Sequence, residues 1–143
     1  MTQSDIARPL RALVRARAHE RCEYCQTSEW ISGLACEIDH IIPRAAGGQT
    51  TDTSLCLACA ACNAYKGSTT HAADPSSGST VALFSPRQQK WTEHLSWGED
   101  GVTIVGLTSC GRATVIALRL NNPFLVAARA LWVSAGWHPP AMV

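Results

Sequence analysis

Four cysteines in two CxxC pairs enclose an Asp-His pair in this 143-residue chain. The first pair is Cys22 and Cys25, and the second is Cys59 and Cys62. Two knuckles of this spacing supply four soft thiolates, which suits a tetrahedral zinc ion. Such a site is closed, so its role would be structural. A thiol redox pair or an iron–sulfur cluster uses the same residues and stays open as an alternative. Between the knuckles stand Asp39 and His40, and Asn63 follows the second knuckle directly. A carboxylate and an amide oxygen can hold a hard divalent cation such as Mg²⁺ or Mn²⁺. An imidazole that is neutral near pH 7 can take a proton from an attacking water. Together these groups suit hydrolysis of a phosphodiester. Lys66, three residues after Asn63, shares its helix face and could neutralise a phosphate.

The elements that must position these groups can be read around them. Pro9 fits the first turn of a helix reaching about Glu20, with Leu10, Leu13, Val14 and Ala18 at helical spacing. Arg8, Arg11 and Arg15 form a separate stripe on it, either a solvated face or a phosphate-contacting one. Residues 34–39 read as a strand ending at Asp39-His40, and Pro43 stops it. Residues 44–53, with Gly47-Gly48, read as a loop, residues 55–57 as a second strand, and residues 63–66 as the start of a short helix. Such a unit is too small to fold on packing alone, which gives the metal a purpose. Residues 68–80, rich in Ser, Thr, Gly and Ala, read as a linker or surface loop. Beyond them residues 102–107 read as a strand. Thr108 or Ser109 is set to cap a helix reaching about Leu120, and Pro123 to open a last helix that Gly136 ends.

The motif order is similar to that of zinc-bearing HNH endonucleases of the ββα-metal type. The resemblance rests on Cys22-x2-Cys25, then Glu37 to Arg44, Gly47-Gly48, Leu55, and Cys59-x2-Cys62-Asn63-x2-Lys66-Gly67. It covers roughly residues 20–67. It implies an α+β fold: a ββα-metal core stapled by zinc at Cys22, Cys25, Cys59 and Cys62, with an N-terminal helix and a C-terminal extension of a strand and two helices. It also implies DNA cleavage leaving a 5′ phosphate, His40 as general base, and a catalytic Mg²⁺ or Mn²⁺ at Asp39 and Asn63. Arg44 and Lys66 become candidate DNA contacts. In the family an Asn before a Leu braces the loop and orients the catalytic His; here Ser54 stands in that place, before Leu55. A hydroxyl is shorter than an amide and cannot span two partners in the same way. Weakened catalysis is the corresponding expectation, and a zinc module that binds nucleic acid or a protein without cutting is the competing reading. The later residues, among them Phe84 to Arg87 and Gly111 to Thr114, resemble the C-terminal extension of small bacterial HNH proteins, with no activity implied.

Composition narrows the setting. The net charge of +1 does not by itself announce a nucleic-acid binder, although five of the twelve basic residues fall within the first 21 positions. Seven cysteines, an odd number in CxxC pairs, favour metal over disulfides and a reducing, cytoplasmic setting. Cys36, Cys56 and Cys110 are left over, the first two as buried inert thiols. No stretch is long and apolar enough to span a bilayer, Arg119 and Arg129 interrupting the nearest. The organisation expected is a basic helix over residues 1–21, a nuclease core over 22–70 and an extension over 71–143 packed on the core. His71 could approach the site, and Trp91, Trp97, Trp132 and Trp137 read as core. A single ββα site cuts one strand, so a double-strand break would call for two copies and makes a homodimer possible.

Overall fold

A computed structural model describes residues 5–141. The chain divides into two compact units. One runs through Thr70 and takes in Ser85–Gln89; the other comprises His71–Phe84 and the residues from Lys90 onward. Both mix helices with small antiparallel sheets, the α+β class expected.

The first unit opens with α1 (Arg8–Arg17), with Pro9 in its first turn, where the missing N–H removes no hydrogen bond. A single turn, α2 (Glu29–Ser32), is capped by the Ser28 hydroxyl, which accepts from Trp30 N. Then come β1 (Glu37–His40), a 3-10 turn at Arg44–Ala46, β2 (Leu55–Ala58) and α3 (Ala60–Lys66). β1 and β2 pair antiparallel, with Glu37 opposite Ala58 and His40 opposite Leu55. All four residues of β2 are buried, because α1 and α3 both pack on it. Val14, Leu55 and Leu57 are fully enclosed, and each such side chain contributes about 1.5–3 kcal/mol. The loop between the strands turns back on itself at Gly47 (φ 92°), and a Cβ on Gly48 would collide with the Ile42 carbonyl. An isolated two-stranded hairpin is marginal in water, so this one depends on its helices and on whatever ties its ends.

The second unit holds two further hairpins, β3 (His71–Ala73) with β4 (Thr80–Ala82) and β5 (Leu95–Trp97) with β6 (Ile104–Gly106). It also holds the single turn α4 (Trp91–His94), α5 (Ser109–Ala117) and α6 (Pro123–Ser134). Thr108 caps α5, as its position predicted, and Asn122 caps α6. The extension therefore has more strands than the single one expected, and the stretch read as a linker is a hairpin. Asp74 makes it one: its carboxylate accepts from Ser76 N and Ser77 Oγ and is gripped at 2.9 Å by both Nε and Nη2 of Arg112 on α5. That fork holds the Asp74 carboxyl well below the usual carboxylate range. Arg129 is fully buried and binds the carbonyls of Val102 and Leu120, with Trp97 5.2 Å from its guanidinium. Trp91 is core, but Trp137 is 60% exposed. It follows the end of α6, beyond Gly136 (φ 79°), where the chain turns away from helical packing. No helix among the described residues is long and apolar enough to cross a membrane.

Candidate functional site

The sulfur atoms of Cys22, Cys25, Cys59 and Cys62 all lie within 4.8 Å of one another, those of Cys25 and Cys59 at 3.6 Å. Four ligands at the zinc–sulfur distance sit roughly 3.8 Å apart in a tetrahedron, so the cluster is ready to hold a metal ion and its donor set is consistent with zinc. Within each knuckle the later cysteine's N–H points at the earlier sulfur, at 3.4 Å in both. The neighbouring thiols hydrogen-bond to Cys25 and hold it well below the usual thiol range, while burial pushes Cys22 up. Four sulfurs gathered at this spacing form a cluster that a cation would complete. The remaining cysteines make no disulfide. Burial pushes the Cys36 thiol up to about 12, and Cys56 is raised in the same way.

The first knuckle is joined to the hairpin. Glu23 N donates to Leu57 O, and Leu57 N donates back to Glu23 Oε2, both at 2.8 Å. Arg87 forms an ion pair with the other oxygen of Glu23. Tyr24 therefore enters the core with no exposure, and its hydroxyl donates to Asp39 Oδ2 at 2.9 Å.

Asp39 lies on β1 and is only 5% exposed. Lys66, on α3, is 2% exposed, and its Nζ sits 3.3 Å from Asp39 Oδ1 and 3.2 Å from Oδ2. The same ammonium donates to the His40 carbonyl at 3.1 Å. The sequence placed Lys66 on the Asn63 face of a helix, facing a phosphate. The structure turns that face inward, because α3 packs against β1. An ammonium so enclosed meets a carboxylate, not solvent or a phosphate. Asn63, one turn earlier on α3, is half-buried, and its side chain has no hydrogen-bond partner among the described residues.

His40, the next residue on β1, is half-buried. Its Nε2 lies 2.9 Å from Thr50 Oγ1, and Arg44 Nη1 donates to that same hydroxyl at 3.1 Å. Burial, and after it the Arg44 charge, lowers the pKa of His40 below the ordinary histidine value. Its imidazole is therefore neutral at pH 7 and can accept a proton.

Ser54 is tied into the loop before it. Its hydroxyl accepts from Thr51 N at 2.9 Å and donates to Gln49 O at 2.5 Å. The two bonds bracket Thr50, the residue that meets His40. Residues 22–69, which contain the four cysteines and Asp39, His40, Thr50, Ser54, Asn63 and Lys66, match the family model of the HNH endonucleases. This segment is an HNH domain. No curated protein and no solved structure gives a match to the chain.

The matched segment begins after α1, although α1 packs on β2 of the HNH domain. Sequence reasoning missed Tyr24 and Thr50. Tyr24 lies inside the CxxC knuckle, where an aromatic residue announces no role. Thr50 is one of several small polar residues in the loop, and only the fold of residues 44–54 brings it to the imidazole. His71 is exposed on β3 in the other unit.

Proposed function

We propose that the HNH domain hydrolyses phosphodiester bonds of DNA with His40 as general base. The neutral imidazole held against Thr50 at the end of β1, beside Asp39, carries this reading. His40 takes the proton of the attacking water, and Thr50 fixes the ring while it does so. Asp39 and Asn63 offer a carboxylate and an uncommitted amide oxygen, a donor set that fits Mg²⁺ or Mn²⁺. When bound, such an ion would stabilise the charge developing on the phosphate and the departing oxygen. Lys66 sets a condition on that binding, because its Nζ already neutralises Asp39. Tyr24 holds the carboxylate in place through its hydroxyl, and the four cysteines, with zinc, hold Tyr24. Arg44 stands exposed beside the catalytic residue and is the candidate contact to the DNA backbone.

The Lys66–Asp39 pair also supports the second reading, a zinc module that binds nucleic acid without cutting it. End-labelled duplex incubated with the zinc-loaded protein in Mg²⁺, in Mn²⁺ and without either separates the two. Hydrolysis predicts metal-dependent fragments carrying a 5′ phosphate. Binding without fragments in either metal would favour the module.

A further inference from the structure

The N-terminal arginines are arranged around a groove. Arg8, Arg11 and Arg15 of α1 line it on one side, and Cys36, Glu37 and Ile38 at the start of β1 on the other; its volume is about 390 Å³. Within the first unit most cations are committed elsewhere. Arg15 pairs with Glu29, Arg17 donates to Leu55 O, Lys66 pairs with Asp39 and Arg87 with Glu23. Arg8 and Arg11 have no side-chain partner among the described residues, and Arg11 Nε is buried without a hydrogen bond. The Cys36 thiol stays neutral, so Glu37 is the carboxylate among these lining residues.

We propose that this groove seats the phosphodiester backbone of the DNA, with Arg8 and Arg11 as its phosphate contacts and Glu37 as an opposing charge. The inference takes the identity of the polyanion from the nuclease reading. Its geometry is independent of it. Arg8 to Arg15 spans about 10 Å along a helix, the axial length of about three nucleotide steps. Ile38, on the groove, is two residues from His40 on one strand, about 7 Å. A nucleic-acid strand crossing β1 would therefore meet both the arginines and the base. Such a seat supplies the charge that the inward turn of Lys66 withdraws from the surface.

The test is binding of a fluorescent duplex of about 20 base pairs, read by anisotropy with the zinc-loaded full chain, no added divalent cation and a series of salt concentrations. Neutralising two phosphate contacts flattens the slope of log K against log salt by about 1.8. The double variant Arg8→Gln/Arg11→Gln should show that change and bind about tenfold or more weakly at 0.1 M salt. Arg8→Lys/Arg11→Lys should keep the wild-type slope, and Glu37→Gln should bind more tightly. Equal slopes for wild type and the Gln double variant, or no binding by wild type, would overturn the proposal. If the Gln variant loses zinc, Glu37→Gln decides: tighter binding than wild type supports the groove, and unchanged binding overturns it. A protein that binds as described but never cuts in Mg²⁺ or Mn²⁺ keeps the groove and loses the nuclease reading. One that cuts with unchanged slopes does the reverse.

Discussion

His40 Nε2 and Thr50 Oγ1 stand 2.9 Å apart, and that hydroxyl is itself set by Arg44 Nη1 at 3.1 Å. The contact joins the end of β1 to the loop that follows it. Ser54 closes the loop from the far side by bonding to Gln49 O and Thr51 N. Two hydroxyls, those of Thr50 and Ser54, thus tie the loop beside the imidazole. Thr50→Val keeps the shape of the side chain and removes the hydroxyl. Misplacing a reacting group by about 1 Å costs up to roughly a hundredfold. We expect single-turnover cleavage to fall about 10- to 100-fold while zinc content is unchanged. Ser54→Ala should lower the rate in the same direction and cost about 1 kcal/mol of stability, read by thermal unfolding.

The pH dependence follows from the environment of His40. Burial and then Arg44 lower its pKa, so the competent, neutral form persists to lower pH than for a free histidine. The cleavage rate should rise with pH and reach half its plateau below about 6.5. In Arg44→Ala one lowering influence is removed, so that midpoint should move up. The measurement is a pH–rate profile at saturating DNA for both proteins. A midpoint that stays put in Arg44→Ala would show that the charge does not act on the imidazole.

Lys66 and Asp39 form a buried pair, 2% and 5% exposed. Removing one partner of such a pair costs about 3–5 kcal/mol, because a charge is left uncompensated. Lys66→Met should be destabilised on that scale, measured as a drop in Tm. Mg²⁺ or Mn²⁺ should restore part of the loss by taking the place of the ammonium at Asp39. The same ion should raise the wild-type Tm less. A variant whose Tm ignores both ions would contradict a metal-binding role for Asp39.

The cysteine cluster ties the first knuckle, which carries Tyr24, to the start of α3, whose cap is Cys59. Stripping the metal with a chelator, or Cys62→Ser, should unfold much of the first unit, seen as lost helical and near-ultraviolet dichroism. Readdition of zinc should restore the stripped wild type and not Cys62→Ser.

Legibility in the sequence followed how local each signal was. The knuckles, the Asp39-His40 pair at a strand end, the Thr108 cap and the helix opened by Pro123 rest on neighbouring residues, and the structure has them where they were expected. Lys66 did not read correctly, because helical spacing placed it on the Asn63 face but could not say that this face turns inward onto β1. The hairpin over β3 and β4 was hidden because its Ser- and Gly-rich composition resembles a linker; Arg112, 38 residues past Asp74, makes it a folded turn. Thr50 was hidden for a related reason. Its partner is ten residues away, across a loop whose path depends on Gly47, Gly48 and Ser54.

The most direct test is nicking of supercoiled plasmid by zinc-loaded wild type and His40→Ala, in Mg²⁺, in Mn²⁺ and without added divalent ion. Catalysis by His40 predicts open circles from wild type only when Mg²⁺ or Mn²⁺ is present, and essentially none from His40→Ala at equal zinc content and equal Tm. Nicking by His40→Ala at the wild-type rate, or by wild type without either ion, would contradict it.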